Sequence, residues 1–285
     1  MTRQVALIGK PLKRRHSQVM HDAAFDACGI DARYVLREID ADEVEQLVAS
    51  ARGEGWLGLG VTAPYKQVVS GLVDEVEGDA QAIGAVNNVV RTDDRRLIGF
   101  NSDAPGFRAA VELAMGKSLE GSNAVVAGAG GAAHAVVYAL LTAGVARVTV
   151  GARSPDAART LLGRFADVGE GDRHATALDS EAFRDAISSA DVAVNATTVG
   201  MIDPGMTIEV ETLPSPATVF DLVYVPSETP LLAAARARGL RAANGSEMLI
   251  AQAAIAFERW TGVGGMAEVM REAVAPLLAD PTVTA

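Results

Sequence analysis

The stretch "VVAGAGGAAHAVVYAL" (residues 125–140) decides the fold, because it joins a short apolar strand pattern to a helix pattern through a glycine-rich turn. The turn, "GAGGAA" (residues 128–133), has the spacing G-x-G-x-x-A. Gly128 allows a tight turn, Gly130 lets the backbone approach a pyrophosphate, and the small Ala133 lets helix and strand pack closely. The helix N-terminus also offers free N–H groups to phosphates. We therefore predict a dinucleotide site formed by Gly128, Ala129, Gly130, Gly131 and Ala132.

The strand after this turn indicates which dinucleotide binds. It ends in "VTVGARSPDAAR" (residues 148–159), with Ala152, Arg153 and Ser154 where an NAD enzyme usually has an acid for the ribose hydroxyls. An arginine can pair with a 2′-phosphate, which an acid would repel. The pattern predicts NADP, while the nearby Asp156 keeps NAD as the alternative.

One segment could be mistaken for a membrane span. Residues 124–146 contain no Asp, Glu, Lys or Arg. Glycines interrupt the segment, however, and its pattern is that of strand, turn and helix. The apolar run "VALIG" (residues 5–9) is too short for the core of a signal peptide. We expect a cytoplasmic protein with no membrane partner.

The overall charge excludes several functions. The 285 residues carry a formal net charge of −11, and the pI is about 4.9, which argues against broad nucleic-acid binding. The single cysteine, Cys28, excludes a disulfide framework, and the four scattered histidines have no zinc spacing. We predict no metal site. The one basic stretch, "GKPLKRRHSQVMH" (residues 9–21), indicates a local anion-binding loop.

Strand and helix patterns alternate from end to end, which predicts an α/β protein with parallel sheets. A helix pattern covers residues 17–28, with Ser17 as its N-cap, and residues 87–101 indicate a hairpin that turns at Asp93 and Asp94. The loop "GKSLEGS" (residues 116–122) is a candidate boundary between two α/β series. The late segment "MLIAQAAIAFERW" (residues 248–260) is apolar on more than one face, which predicts a buried helix.

Three loops at predicted strand ends each carry one reactive or polar side chain. They are "GVTAPYK" with Lys66, "GAVNN" with Asn87 and "GFNSDAPGF" with Asp103. Taken singly, these residues could be a surface lysine, a turn asparagine and a helix N-cap. Only their combination suggests a catalytic site.

Together with three later motifs, these loops resemble the shikimate dehydrogenase family over nearly the whole chain. The later motifs are "GAGGAA", "NATTVG" and "GSEMLIAQA", and all six occur in the family's order. The resemblance implies an N-terminal α/β substrate domain plus a Rossmann-type doubly wound dinucleotide-binding domain. Residues 1–103 would form the substrate-binding and catalytic domain, completed by helices in residues 246–285, and residues 104–245 would form the NADP-binding domain.

The resemblance also implies an activity, the transfer of hydride between NADP and a shikimate-like cyclic hydroxy acid. Lys66 and Asp103 would act on the hydroxyl that is oxidised, a reaction that needs a group to accept its proton. The implied substrate-lining residues are Thr62, Asn87, Tyr224 and Gln252, and the residues implied to border the nicotinamide are Leu222 and Gly245.

The first loop departs from the family pattern G-N-P-x-x-x-S-x-S-P, whose two serines hold the substrate carboxylate. Here "GKPLKRRHSQ" (residues 9–18) keeps Ser17 but has Arg15 in the first serine's place. A guanidinium can bind a carboxylate through two hydrogen bonds, yet its bulk would crowd the acid group of shikimate. Gly60 also replaces an asparagine before Val61 and Thr62. Either the substrate pocket is altered, or Arg15 simply faces solvent.

These observations leave several functions open. The first is an NADP-dependent dehydrogenase of shikimate, quinate, an amino-substituted analogue or a larger acid. The second is an NAD-dependent quinate/shikimate dehydrogenase, and the third is a non-catalytic ligand-binding paralogue. The partner expected in each case is a small carboxylic acid, and the oligomeric state stays open.

Overall fold

The computed structural model describes residues 2–201 and 203–279. The chain divides into two compact units. One consists of Met1–Ser102 and Leu249–Ala285, and the other of Asp103–Met248. Each unit has its own sheet and core.

The first unit contains a six-stranded mixed sheet. Its strands are β1 (Arg3–Gly9), β2 (Ala32–Glu38), β3 (Trp56–Val61), β4 (Glu75–Val76), β5 (Asn88–Arg91) and β6 (Leu97–Phe100). The spatial order is β2-β1-β3-β5-β6-β4, and β5 runs antiparallel to both of its neighbours. The helices are α1 (His16–Ala27), α2 (Val44–Ser50), α3 (Lys66–Ser70) and α4 (Gly78–Ile83). Most of α10 (Ser246–Thr261) and all of α11 (Ala267–Ala279) also belong to this unit.

The second unit contains a six-stranded parallel sheet. Its strands are β7 (Asn123–Ala127), β8 (Arg147–Ala152), β9 (Asp172–Ala177), β10 (Val192–Asn195), β11 (Thr218–Asp221) and β12 (Arg241–Asn244). Its helices are α5 (Asp103–Met115), α6 (Gly131–Thr142), α7 (Pro155–Arg164), α8 (Glu181–Ile187) and α9 (Pro230–Ala237). The order β12-β11-β10-β7-β8-β9 reverses direction between β7 and β10, which is the doubly wound arrangement. In such sheets, ligands bind beyond the carboxyl ends of the strands at this reversal.

Side-chain alternation along β1 explains why the first sheet is covered on both faces. Val5 and Leu7 face the cluster formed with α1, α10 and α11, whereas Ala6 and Ile8 face the cluster that includes α2. Strand β2 lies at the edge of the sheet, where unpaired backbone groups need partners. Helix α1 supplies them, because Gln18 Nε2 donates to the Tyr34 carbonyl at 3.1 Å and the Tyr34 N–H donates to Asp22 at 2.8 Å.

Most elements follow the sequence pattern, and the mixed α/β fold with a parallel Rossmann-like sheet is confirmed. The predicted hairpin is β5 and β6, and the buried late helix is α10. The charge-free segment forms β7, the glycine turn and α6. Among the described residues, none of the helices is both long and apolar enough to span a membrane.

Two local predictions are wrong. Ser17 is not the N-cap of α1, because the helix begins at His16 and Arg15 is its N-cap, without a side-chain cap hydrogen bond. The loop at residues 116–122 is not the boundary between the units, because α5 precedes it and already belongs to the second unit. That loop joins α5 to β7 within one unit.

Candidate active site

The glycine turn follows β7 and leads into α6. Gly128 has φ = 111°, and a β-carbon there would lie 2.8 Å from Thr197 Cγ2 and 3.0 Å from the Ala196 carbonyl oxygen. Only glycine fits this backbone conformation and space. Ala133 is fully buried, which allows the close packing expected of the third small residue.

The rest of the turn is open. A β-carbon at Gly130 or Gly131 would have no atom within 4 Å, and both residues are exposed, as is Ala132. Gly130 is the N-cap of the 12-residue helix α6, so the first N–H groups of that helix border this space. The turn thus combines a constrained first glycine with free volume at a helix N-terminus, which fits a bound phosphate group.

The end of β8 carries a positive charge. Strand β8 ends at the buried Ala152, and the exposed Arg153 and Ser154 follow, with Ser154 as the N-cap of α7. Asp156 lies in the first turn of α7 and forms an ion pair with Arg159. Asp156, the acid that leaves NAD as the alternative cofactor, therefore has a cationic partner on its own helix.

The Lys66 loop is tied to the Asn87 loop through the backbone. Lys66 is half-buried and begins α3, after the buried Tyr65, whose hydroxyl donates to the Ile39 carbonyl at 2.7 Å. The Val86 N–H donates to the Lys66 carbonyl at 3.0 Å. This contact holds the backbone of Lys66 next to that of Asn87.

A buried polar cluster joins Asn87, Asn88, Ser102 and Gln252. The Asn88 side-chain amide donates to Asn87 Oδ1 at 2.9 Å and to Ser102 Oγ at 2.8 Å. Asn87 Nδ2 donates to Ser102 Oγ at 3.1 Å, and the Ser102 N–H donates to Asn87 Oδ1 at 2.8 Å. Ser102 Oγ in turn donates to Gln252 Oε1 at 3.3 Å. The structure thus brings together Asn87 and Gln252, two of the predicted site residues, through a serine that sequence reasoning missed.

Leu222 and Gly245 are also in contact, within the second unit. A β-carbon at Gly245 would lie 2.3 Å from the Leu222 carbonyl oxygen, so glycine is required there. The buried Asp221 fixes the loop before them, because Thr229 Oγ1 donates to it at 2.7 Å and Asn195 Nδ2 at 2.8 Å. Burial raises the pKa of Asp221. Tyr224 lies in the same loop and is half-buried.

Asp103 belongs to a different unit from Lys66 and from the first loop. Asp103 is half-buried and begins α5 in the second unit, whereas Lys66 belongs to the first unit. Arg15 is exposed, and its Nε donates to Gln18 Oε1 at 3.2 Å, while Ser17 is half-buried in the first turn of α1.

Two acidic residues that are distant in sequence contact the basic stretch at residues 9–21. Lys10 Nζ forms an ion pair with Asp40 at 2.5 Å, and this hydrogen bond raises the pKa of Lys10. The Leu12 N–H donates to Glu38 Oε2 at 2.7 Å. Among the described residues, no group of three or more His, Cys, Asp or Glu side chains could hold a metal ion.

The doubly wound sheet, its glycine turn and the basic end of β8 define an α/β protein of the dinucleotide-dependent oxidoreductase class. Three family descriptions match the chain. They are the shikimate dehydrogenase substrate binding domain over residues 7–89, shikimate / quinate 5-dehydrogenase over residues 110–222 and the shikimate 5'-dehydrogenase C-terminal domain over residues 245–275. The chain belongs to the shikimate dehydrogenase family and is an oxidoreductase.

Individual relatives match this chain over at least 93% of their own length. A shikimate dehydrogenase (NADP(+)) of Moorella thermoacetica is 38% identical over 281 residues, which covers 95% of this chain and 93% of the relative. The structure of a quinate dehydrogenase from Corynebacterium glutamicum in complex with NAD has a TM-score of 0.87 and is 33% identical, covering 96% of this chain and 99% of the other. The structure of the 5-ketofructose reductase of Gluconobacter sp. strain CHM43 has a TM-score of 0.89 and is 29% identical, covering 97% and 99%.

Proposed function

We propose that this protein transfers hydride reversibly between NADP and shikimate or a closely related cyclic hydroxy acid. The observation that carries the proposal is the buried cluster of Asn87, Asn88, Ser102 and Gln252. Uncharged donors and acceptors of this kind suit the hydroxyl groups of a polyhydroxylated ring. The adjoining Lys66 loop supplies a group for proton transfer.

The cofactor side of the proposal rests on the second unit. The open turn at Gly128, Ala129, Gly130, Gly131 and Ala132 would hold the pyrophosphate, and Arg153 with Ser154 would bind the 2′-phosphate. Ala152, Leu222 and Gly245 would border the rest of the cofactor. When bound, NADP accepts or returns the hydride. The NADP(+) named for the Moorella relative supports this choice over NAD.

The proton that leaves the oxidised hydroxyl is assigned to Lys66. Its side-chain nitrogen, as a neutral amine, would accept this proton in one direction, and the resulting ammonium would donate it to the carbonyl oxygen in the other. Asp103 would accept a hydrogen bond from the same hydroxyl. Thr62, Asn87, Tyr224 and Gln252 would orient the ring, so that the reacting oxygen stays within reach of Lys66.

The test is the absorbance of reduced nicotinamide with a panel of acids and both cofactors. Shikimate, quinate and an amino-substituted analogue are each incubated with NADP and with NAD. We expect the highest kcat/KM with shikimate and NADP. Faster turnover with quinate and NAD would replace this proposal by the quinate/shikimate alternative. A complete lack of turnover would favour the non-catalytic paralogue.

A second candidate concerns Arg15, which would bind the substrate carboxylate and shift preference away from shikimate. Two observations favour it: the guanidinium is exposed at the start of α1, and a 5-ketofructose reductase shares this fold. Arg15→Ser would then weaken binding of the preferred acid by roughly 1.5–3 kcal/mol, the value of a charge-assisted hydrogen bond. The same change would improve turnover of shikimate. If wild type already uses shikimate efficiently and the variant behaves alike, Arg15 has no role in substrate choice.

A further inference from the structure

Tyr34 has an unusual position in the first unit. It lies on β2 with 3% of its surface exposed, and its ring stacks on His21 with a centroid distance of 4.5 Å. Trp260 of α10 lies on another side, with ring centroids 6.1 Å apart. A ring packed in this way holds its hydroxyl at a defined point.

The ring of Tyr34 is buried, but its hydroxyl has no hydrogen-bond partner among the described residues and is not one of the fully buried polar atoms that lack a partner, so it borders accessible space. Tyr65 shows the usual arrangement in the same unit, since its hydroxyl donates to the Ile39 carbonyl at 2.7 Å. Burial also raises the pKa of Tyr34, so its hydroxyl stays protonated at neutral pH. A rigid, protonated donor that borders accessible space is thus available to a bound molecule.

The hydroxyl lies where residue 60 would have its side chain. A β-carbon at Gly60 would lie only 2.5 Å from Tyr34 Oη and 3.1 Å from Leu7 Cδ1. A side chain at position 60 and the present Tyr34 therefore exclude each other, and Tyr34 Oη fills the space that the glycine leaves.

This space is on the same face of the sheet as Thr62. Leu7 pairs with Gly60, so both point to one face. Gly9 shares the face of Leu7, and a β-carbon at Gly9 would lie 2.3 Å from Thr62 Cγ2. The Tyr34 hydroxyl and the Thr62 side chain therefore lie on one face of the sheet.

We propose that Tyr34 is a specificity-determining residue whose hydroxyl hydrogen-bonds to a hydroxyl oxygen of the cyclic hydroxy acid. It supplies the polar contact that a side chain at position 60 cannot make in this chain. This inference rests on the proposed function, because it needs a ring substrate bound on the Thr62 face. Tyr34 contributes to binding and not to proton transfer, which remains with Lys66.

The test uses the full chain with Tyr34→Phe, which removes only the hydroxyl. Titration calorimetry with shikimate should show a Kd roughly two- to twelve-fold higher, the range of one neutral hydrogen bond. The KM should rise by the same factor with kcat nearly unchanged, because the contact is made in the ground state and in the transition state. The Tm without ligand should not fall, since no hydrogen bond within the protein is lost. Tyr65→Phe serves as the matched control for stability, and its Tm should fall.

A second variant tests the geometry. Gly60→Ala places a methyl group against Tyr34 Oη, so it should also weaken shikimate binding, and less so when Tyr34 is already Phe. If Tyr34→Phe binds shikimate as tightly as wild type, the inference is overturned while the proposed function stands. A lower Tm with unchanged Kd assigns Tyr34 to packing alone. If wild type neither binds nor oxidises shikimate or any other acid of the panel, the proposed function fails, and the inference fails with it.

Discussion

At the residue scale, the proposed reaction depends on the side-chain nitrogen of Lys66. Lys66→Ala removes the proton-transfer group, so we expect kcat on the best acid to fall by roughly 10²–10⁴-fold. Cofactor affinity and Tm should stay close to wild type, because the side chain is half-buried at the start of a short helix. Initial rates and cofactor titration measure both quantities.

Lys117→Ala is the control for that experiment. Lys117 forms an exposed ion pair with Asp191, at 3.2 Å, and belongs to the second unit, whereas Lys66 belongs to the first. Its removal should leave kcat within about twofold, since exposed ion pairs contribute little. If Lys66→Ala keeps more than a tenth of the activity, another group transfers the proton.

Arg153 should determine the preference for NADP over NAD. Arg153→Asp should shift preference from NADP towards NAD, because an acid repels the 2′-phosphate and can accept hydrogen bonds from ribose hydroxyls. The loss for NADP should be roughly 1.5–3 kcal/mol, measured as the change in kcat/KM. Arg184→Ala, which breaks an exposed ion pair with Glu209, is the matched control and should leave the cofactor ratio unchanged. An unchanged ratio in Arg153→Asp would remove Arg153 from the phosphate site.

The sequence predicts single site residues better than the contacts between them. Asn87 is visible because it belongs to a motif, but Asn88 and Ser102 complete the cluster only after β5 and β6 pair. The acids that meet the basic stretch, Glu38 and Asp40, are likewise more than 25 residues away from their partners. Such contacts depend on strand order, which no local pattern encodes.

At the scale of elements, the docking of α10 on the first sheet depends on Gly58. A β-carbon there would lie 2.0 Å from the Val89 carbonyl oxygen and 2.6 Å from Trp260 Nε1, which donates to that same carbonyl at 2.9 Å. We expect Gly58→Ala to lower the free energy of unfolding by about 1–3 kcal/mol through overpacking. Urea denaturation measures the change.

Gly78 provides the matched control, because a β-carbon there meets no atom within 4 Å and the residue begins helix α4. Gly78→Ala should leave stability unchanged or raise it by up to about 1 kcal/mol, since alanine restricts the unfolded chain. Equal effects of the two alanine variants would contradict the packing that the structure shows at Gly58.

The elements that sequence reasoning missed are short. Strand β4 has only two residues. Strand β12 has four, "RAAN", and this stretch contains no β-branched residue. Both form because a neighbouring strand, β6 or β11, offers its backbone groups. The sequence pattern also places the start of helix α1 one residue too late. No side-chain cap hydrogen bond marks the first turn of this helix.

At the scale of the whole molecule, stability should depend on pH through His21. Burial lowers the pKa of His21 to about 3. Between this value and the ordinary pKa near 6.5, the unfolded chain binds one more proton than the folded chain. The free energy of unfolding should therefore fall as pH falls through this window, by up to about 1.4 kcal/mol per pH unit.

His21→Phe keeps an aromatic ring against Tyr34 but cannot titrate. Urea denaturation at pH 7, 6 and 5 should show a weaker pH dependence in this variant than in wild type. Contributions from His16, whose pKa burial also lowers, and from Asp221, whose pKa burial raises, are common to both proteins. Parallel pH profiles would show that His21 does not stay neutral in the folded chain.

The two-unit organisation is readable from the sequence only in part. Alternating strand and helix patterns predict parallel α/β structure, and the glycine turn identifies β7 and α6. The junction between Ser102 and Asp103 has no linker composition, because the chain passes from β6 into α5 through two residues. Packing, and not local sequence, decides to which unit α5 belongs.

The most direct test of the account is whether the protein oxidises shikimate with NADP in one-to-one proportion. Wild-type protein is incubated with both compounds, and reduced NADP is followed by absorbance while the ketone product is quantified by chromatography. We predict equal amounts of reduced NADP and ketone, with a much slower reaction in Lys66→Ala. Formation of neither product from shikimate, by a protein whose folding is verified, would contradict the proposed reaction.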